Sequence, residues 1–143
     1  MRRSATALVL LAVGTAAALA GPIEDRKALM KQNADAAKIG SGLAKGEVPY
    51  DRSKAEDVLK VHAMVAAKLT TLFPEDSKTG GKTSAAPKIW EDMAGFKAAA
   101  AKFQQDATAA MAQTGDQATF AKAYMVVLSN CGACHQTYRI KQE

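Results

Sequence analysis

The chain has 143 residues, of which 48% are hydrophobic and 23% charged, with a formal net charge of +5. That length suits one domain built on one core. Charges alternate in sign along the chain and form no basic block, which excludes a nucleic-acid-binding balance.

Residues 1–20 have the pattern of a secretory signal peptide. Arg2 and Arg3 form a basic start, residues 7–13 an apolar run, and Ala18-Leu19-Ala20 a small-residue cleavage site. The apolar stretch is short for a bilayer span and Gly21-Pro22 follows at once, so cleavage after Ala20 is expected rather than a membrane anchor. In a bacterial cell this leads to the periplasm. Residues 21–143 then form the domain, with two fewer positive charges, no second apolar span and no stable membrane insertion.

Abundant Ala, few β-branched runs and well-separated turn signals favour helix throughout the domain. Helix A is expected over residues 23–45, with Pro22 at a tolerated first-turn position and Glu24 and Asp25 near the positive end of its dipole. Gly46-Glu47-Val48-Pro49-Tyr50 breaks it. Helix B begins at a cap formed by Asp51 or Ser53 and ends near Phe73-Pro74, with Val58, Val61, Val65, Leu69 and Leu72 on its inner stripe. A loop rich in Gly, Ser and Thr follows over residues 74–86. Helix C runs from Pro87 or Lys88 to just before Thr114-Gly115, with Ile89, Met93, Phe96, Ala100, Phe103, Ala107 and Ala110 at steps of four and three. Asp116 caps helix D, whose stripe is Phe120, Tyr124, Val127, Cys131, Cys134 and Tyr138. Helix A has mostly small residues inside.

Short A–B and C–D connections make those pairs antiparallel, so the expected fold is all-α: an up-down-up-down four-helix bundle. Chain order then puts the start of A, the end of B, the start of C and the end of D at one end. The B–C loop crosses that end, and a loop of this length in a compact domain is usually functional or disordered.

Cys131, Cys134 and His135 spell C-x-x-C-H late in helix D, the attachment signature of a c-type haem. On a helix the three fall at i, i+3 and i+4, one face, so all can meet one flat ligand. Two thiols fix a single haem c covalently and the imidazole supplies one axial ligand. A thioredoxin-like pair would sit at a helix start after a strand, and no strand precedes Cys131. A zinc site would need two further ligands, and the chain has only two Cys and two His in all.

The opposite axial position has several candidates. Met30, early in helix A beside the end of D, offers a soft thioether; Met/His ligation keeps haem six-coordinate and raises its reduction potential. Met93 at the start of C competes with it. Met64 is mid-helix, Met111 lies at the far end, and Met125 is ten residues from His135, about 15 Å along the axis. His62 is also about 15 Å from the haem end and is expected to be an exposed or half-buried seam residue.

With these residues in view, the chain resembles the class II cytochromes c, the cytochrome c-prime family, over essentially residues 22–142. The likeness rests on Arg26-Lys27-Ala28-Leu29-Met30-Lys31, Lys45-Gly46-Glu47-Val48-Pro49-Tyr50-Asp51, Leu72-Phe73-Pro74, Pro87-Lys88-Ile89-Trp90, and Cys131-Gly132-Ala133-Cys134-His135 followed by Tyr138-Arg139. High-spin members carry a non-ligating residue where this chain has Met30, and low-spin members have Met there as the sixth ligand. The resemblance therefore implies His135/Met30 ligation of the iron. It also implies that Arg26 lies near the distal haem region and a propionate, and that Arg139 sits beside the proximal imidazole. Trp90 and Tyr138 are expected to pack on the porphyrin.

The leading expectation is a soluble periplasmic electron carrier, not an enzyme, serving redox partner proteins. The alternative is a high-spin, five-coordinate protein that binds NO or CO; a thiol–disulfide oxidoreductase is the third possibility. Charges at the haem end are mixed and give no sign for electrostatic steering. Related members form dimers through helices A and B, which makes a homodimer possible here.

Overall fold

The computed structural model describes residues 21–140; the expected signal peptide lies outside the described residues. Four long helices form the bundle: α1 (Pro22–Lys45), α2 (Arg52–Leu69), α4 (Met93–Ala110) and α5 (Gln117–Tyr138), with a single turn, α3 (Lys88–Glu91), ahead of α4. They pack in the ring α1–α2–α4–α5 and back to α1, so each long helix has two antiparallel neighbours. This is the expected up-down-up-down bundle. Among the described residues no helix is long and apolar enough to cross a membrane.

The helix ends follow the local chemistry. Pro22 occupies the first turn of α1, where its missing N–H costs nothing, and Glu24 and Asp25 sit in that turn. Gly46 ends α1 in the left-handed region (φ 72°), and the amides of Gly46 and Glu47 return to the Leu43 and Gly42 carbonyls. Asp51, not Ser53, caps α2, accepting from the Lys54 amide at 3.1 Å. Asp116 caps α5 in the same way through Thr119 at 2.9 Å.

Helix C differs from the expectation of one continuous helix. Asp92 leaves helical geometry (φ −133°, ψ 57°) and its carboxylate accepts from the Gly95 amide at 3.0 Å. A strong N-cap inside the apolar stripe thus splits the segment into α3 and α4. Ile89 still reaches the core, because the break re-aims the turn without moving it away.

The interior has two apolar clusters. One, around Leu43, Val58, Leu59, Ala107, Phe120, Tyr124 and Val127, fills the end remote from the Cys pair. The other gathers Phe73, Ile89, Phe96 and Tyr138, with Trp90, Met93 and Cys134 packed against it. The bundle's cavity opens beside the second cluster.

Candidate haem site

Helix α5 carries Cys131, Cys134 and His135 on one face, and that face forms one wall of a cavity of about 490 Å³, within the ~300–1,000 Å³ typical of cofactor clefts. Helix α1 forms the facing wall with Met30, Asn33, Ala34 and Ala37, and Arg26 stands at its edge. Leu69, Phe73, Ile89 and Phe96 supply an apolar side. The B–C loop closes the cavity through Thr83, Ser84 and Ala85.

That loop is tied to the end of α5 by backbone pairing. The Ala86 amide donates to the Tyr138 carbonyl at 3.0 Å, and the Ile140 amide to the Ser84 carbonyl at 2.8 Å. It is tied to α1 by Arg26, which is only 4% exposed. The guanidinium donates to the Leu72 carbonyl (3.2 Å), the Ser77 hydroxyl (2.9 Å), the Ser77 carbonyl (3.0 Å) and the Thr83 hydroxyl (2.9 Å). It also lies over the Phe73 ring at 4.7 Å. Burial pulls its pKa down.

The two thiols are free and half-buried. Burial pushes both up, and Cys131 adds to the rise at Cys134. A thiol–disulfide exchanger needs the opposite, a depressed thiol near a helix N-terminus, whereas these lie in the last two turns of α5. Burial lowers the His135 pKa, with a second contribution from Arg139. The imidazole is therefore neutral near pH 7, as a metal ligand must be. Among the described residues no group of three or more His, Cys, Asp or Glu could hold a bare metal ion.

Of the residues singled out from sequence, Cys131, Cys134, His135, Met30, Arg26, Tyr138 and Arg139 all line this one cavity. Trp90 does not. Its indole N–H donates to the Phe73 and Pro74 carbonyls at 3.2 and 3.3 Å, and its ring packs edge-on against Phe73. Ile89, the stripe residue, lines the cavity, and Trp90 stands one residue off that stripe. Met93 joins the apolar cluster and is not part of the cavity lining. Tyr138 is anchored by its hydroxyl, which donates to Asp92 at 3.0 Å.

Two features escaped the sequence. His62 is fully buried rather than exposed or half-buried, because Asn33 and Tyr124 satisfy both ring nitrogens at 2.7 and 2.9 Å. Asn33 itself is a cavity wall residue. Its spacing of three from Met30 was the available signal, since the two share a helix face.

The residues present fit a haem. Two unpaired thiols one turn apart, an adjacent neutral imidazole, a thioether on the facing helix and flat apolar walls match that donor chemistry. Comparison with known proteins points the same way. Residues 21–139 match the family described as Cytochrome C'. The chain is 42% identical over 135 residues to a cytochrome c' of Rhodopseudomonas palustris, covering 94% of this chain and 92% of that one. It is 39% identical over 124 residues to a cytochrome c-556 of Agrobacterium tumefaciens, covering 86% and 100%. The solved structure of R. palustris cytochrome c' superposes with a TM-score of 0.83 at 41% identity, covering 87% of this chain and 99% of that one. A structure of R. palustris cytochrome c556 gives 0.78 at 30% identity, covering 85% and 98%. With its bundle, its cysteine pair and these relatives taken together, the chain belongs to the cytochrome c' family of class II c-type cytochromes.

Proposed function

We propose that this cytochrome is a periplasmic electron carrier with one haem c, low-spin, ligated by His135 and Met30. The observation that carries the proposal is that Met30 on α1 and His135 on α5 line facing walls of one cavity. The Cys131 and Cys134 thiols would hold the haem by thioether bonds, each sulfur adding to a vinyl group. Haem bound there supplies a one-electron Fe(III)/Fe(II) couple. The chain's own contribution is enclosure: apolar walls from Leu69, Phe73, Ile89 and Phe96 exclude water, and Arg26 fixes the loop over the site. The Arg26 guanidinium, whose partners are all neutral oxygens, is one of the cations lining the cavity, with Lys27, Lys31 and Arg139, that could pair with a propionate. The relatives named cytochrome c-556 support the six-coordinate form.

A second proposal has two supporting observations. The 42% relative is named cytochrome c', and a similar structure is a nitric oxide complex of a cytochrome c prime mutant from Alcaligenes xylosoxidans. In that form Met30 stays off the iron and the distal face takes a diatomic gas.

The optical and EPR spectra of the oxidised protein, with Met30→Ala beside it, decide between them. A low-spin wild type that turns high-spin in the variant is the expected result. A wild type already high-spin and five-coordinate overturns the electron-carrier proposal. Pyridine haemochrome and intact mass of periplasmically expressed protein test covalent attachment and the count of one haem.

A further inference from the structure

Three helices meet at His62. From α2 its ring reaches Asn33 on α1 through Nδ1 (2.7 Å) and the Tyr124 hydroxyl on α5 through Nε2 (2.9 Å). His62 and Tyr124 are both 0% exposed. The bonding directions follow from the atom types. The Asn33 Oδ1 can only accept, so His62 Nδ1 carries the ring's single proton and donates it. The Nε2 lone pair then accepts from the Tyr124 O–H. The Ala37 carbonyl, at 3.5 Å from that hydroxyl, is too distant to compete for its proton. Burial holds His62 down to about 4, so the ring is neutral at physiological pH.

Each hydrogen bond therefore runs the same way, from Tyr124 to His62 to Asn33, and a chain aligned like this polarises its members. Its last member lies on the cavity wall one helical turn after Met30. The Asn33 oxygen is taken by His62, which leaves its NH₂ as the unused end, and since no buried side-chain nitrogen or oxygen among the described residues lacks a partner, that NH₂ is open rather than sealed in the core. An apolar trio would fill the same space without the desolvation penalty of three polar groups. What the polar trio adds is a fixed orientation of one amide.

We infer that Asn33 is a hydrogen-bond donor to the distal side of the haem site, held in that orientation by His62 and Tyr124 as positioning residues. The positive end of the amide dipole, beside Met30, favours the less positively charged iron and so raises the reduction potential. The inference rests on the proposed haem site and on Met30 as its distal residue.

The test is a double-mutant cycle on the haem-loaded full chain, with midpoint potentials for wild type, Asn33→Leu, Tyr124→Phe and the pair. Tyr124→Phe keeps the core volume, so it reports even if variants of His62 fail to fold. Asn33→Leu is expected to lower the one-electron equilibrium constant about threefold, which is about 28 mV at 59 mV per decade. Tyr124→Phe is expected to lower it less, and to have no effect once Asn33 is Leu. ¹⁵N NMR of His62 in the wild type is expected to show the Nδ1-protonated tautomer. An Nε2-protonated ring, an unchanged potential in Asn33→Leu, or an equal effect of Tyr124→Phe in both backgrounds would overturn the inference. The spectrum of the same wild type separates the two proposals: a five-coordinate iron sinks Met30 ligation, while the cycle and the tautomer still decide the role of Asn33.

Discussion

Arg26 grips Ser77 with both ends of its guanidinium, Nη1 on the hydroxyl at 2.9 Å and Nη2 on the carbonyl at 3.0 Å. The pair joins the first turns of α1 to a loop fifty-one residues away, so the cavity's lid is held from the cavity's wall. Ser77 is itself buried and passes the restraint on, its hydroxyl donating to the Pro74 carbonyl at 2.8 Å. A flat, forked cation is needed here because one group serves four oxygens in different directions.

Replacing Arg26 by Leu leaves those oxygens without their donor. The expected loss is about 3 kcal/mol in urea unfolding of the haem-loaded protein, the range for bonds to a charged group whose partners stay buried. Arg26→Lys is expected to recover less than half of it, since a point ammonium cannot span the same acceptors. Near-wild-type stability in Arg26→Leu would show that the loop is held by its backbone pairing to Tyr138 and Ile140 instead.

Gly40 on α1 lets Tyr124 of α5 approach the α1 backbone. A Cβ at this position would overlap the ring tip and hydroxyl of Tyr124, and that ring is held by His62 and by stacking on Phe120 at 4.9 Å. Gly40→Ala is expected to cost about 2 kcal/mol net, overpacking outweighing the helix-propensity gain of about 1 kcal/mol. Thermal denaturation checks it: a raised melting temperature would mean that the ring has another place to go.

The bundle was legible because its information is periodic. Val58 and Val65 on α2, or Phe120, Tyr124 and Val127 on α5, repeat at helical spacing and are the residues buried. The site was legible because chain order alone puts Met30 and His135 at one end, and both line the same cavity. What periodicity does not encode is which polar residue from a third helix meets a given seam position. His62 lies on the Val58–Val65 stripe, so its burial could have been inferred, but its partners Asn33 and Tyr124 come from α1 and α5. Likewise Asp92 carries a capping signal that an uninterrupted apolar stripe overrides on paper. In the folded chain the cap wins, and Trp90 turns to the loop carbonyls.

Asp92 serves two partners, capping α4 through the Gly95 amide and accepting from Tyr138 at the end of α5. Asp92→Ala removes both, whereas Tyr138→Phe removes one. The ordering expected from denaturant midpoints is therefore wild type, then Tyr138→Phe, then Asp92→Ala, with Asp92→Asn between the last two because an amide oxygen still caps. All three are expected to be less harmful than Arg26→Leu, because the Asp92 carboxylate is open to solvent. Equal midpoints for Tyr138→Phe and Asp92→Ala would show that the cap contributes nothing.

Stability should fall on mild acidification because of His62. Its folded-state pKa of about 4 lies below the ordinary value of 6.5, so between those limits the unfolded chain takes up a proton that the folded chain refuses. The stabilisation is fully present above about pH 6.5 and is lost as pH falls toward 4, a total of about 3 kcal/mol at 1.36 kcal/mol per unit. Carboxylates add a smaller loss only at the bottom of this window: backbone amides of Lys54, Gly95 and Thr119 hold Asp51, Asp92 and Asp116 below their ordinary value of 3.8, Lys102 does the same for Asp106, and Arg52 holds Glu56 below its ordinary 4.5, so their contributions begin to fall as pH nears those ordinary values. Urea unfolding at pH 7.0 and pH 4.5 is the measurement, on wild type and on His62→Gln. The variant is expected to be less stable at pH 7 and to lose much less on acidification. Parallel losses in the two proteins would place the acid sensitivity elsewhere and remove the buried imidazole as its cause.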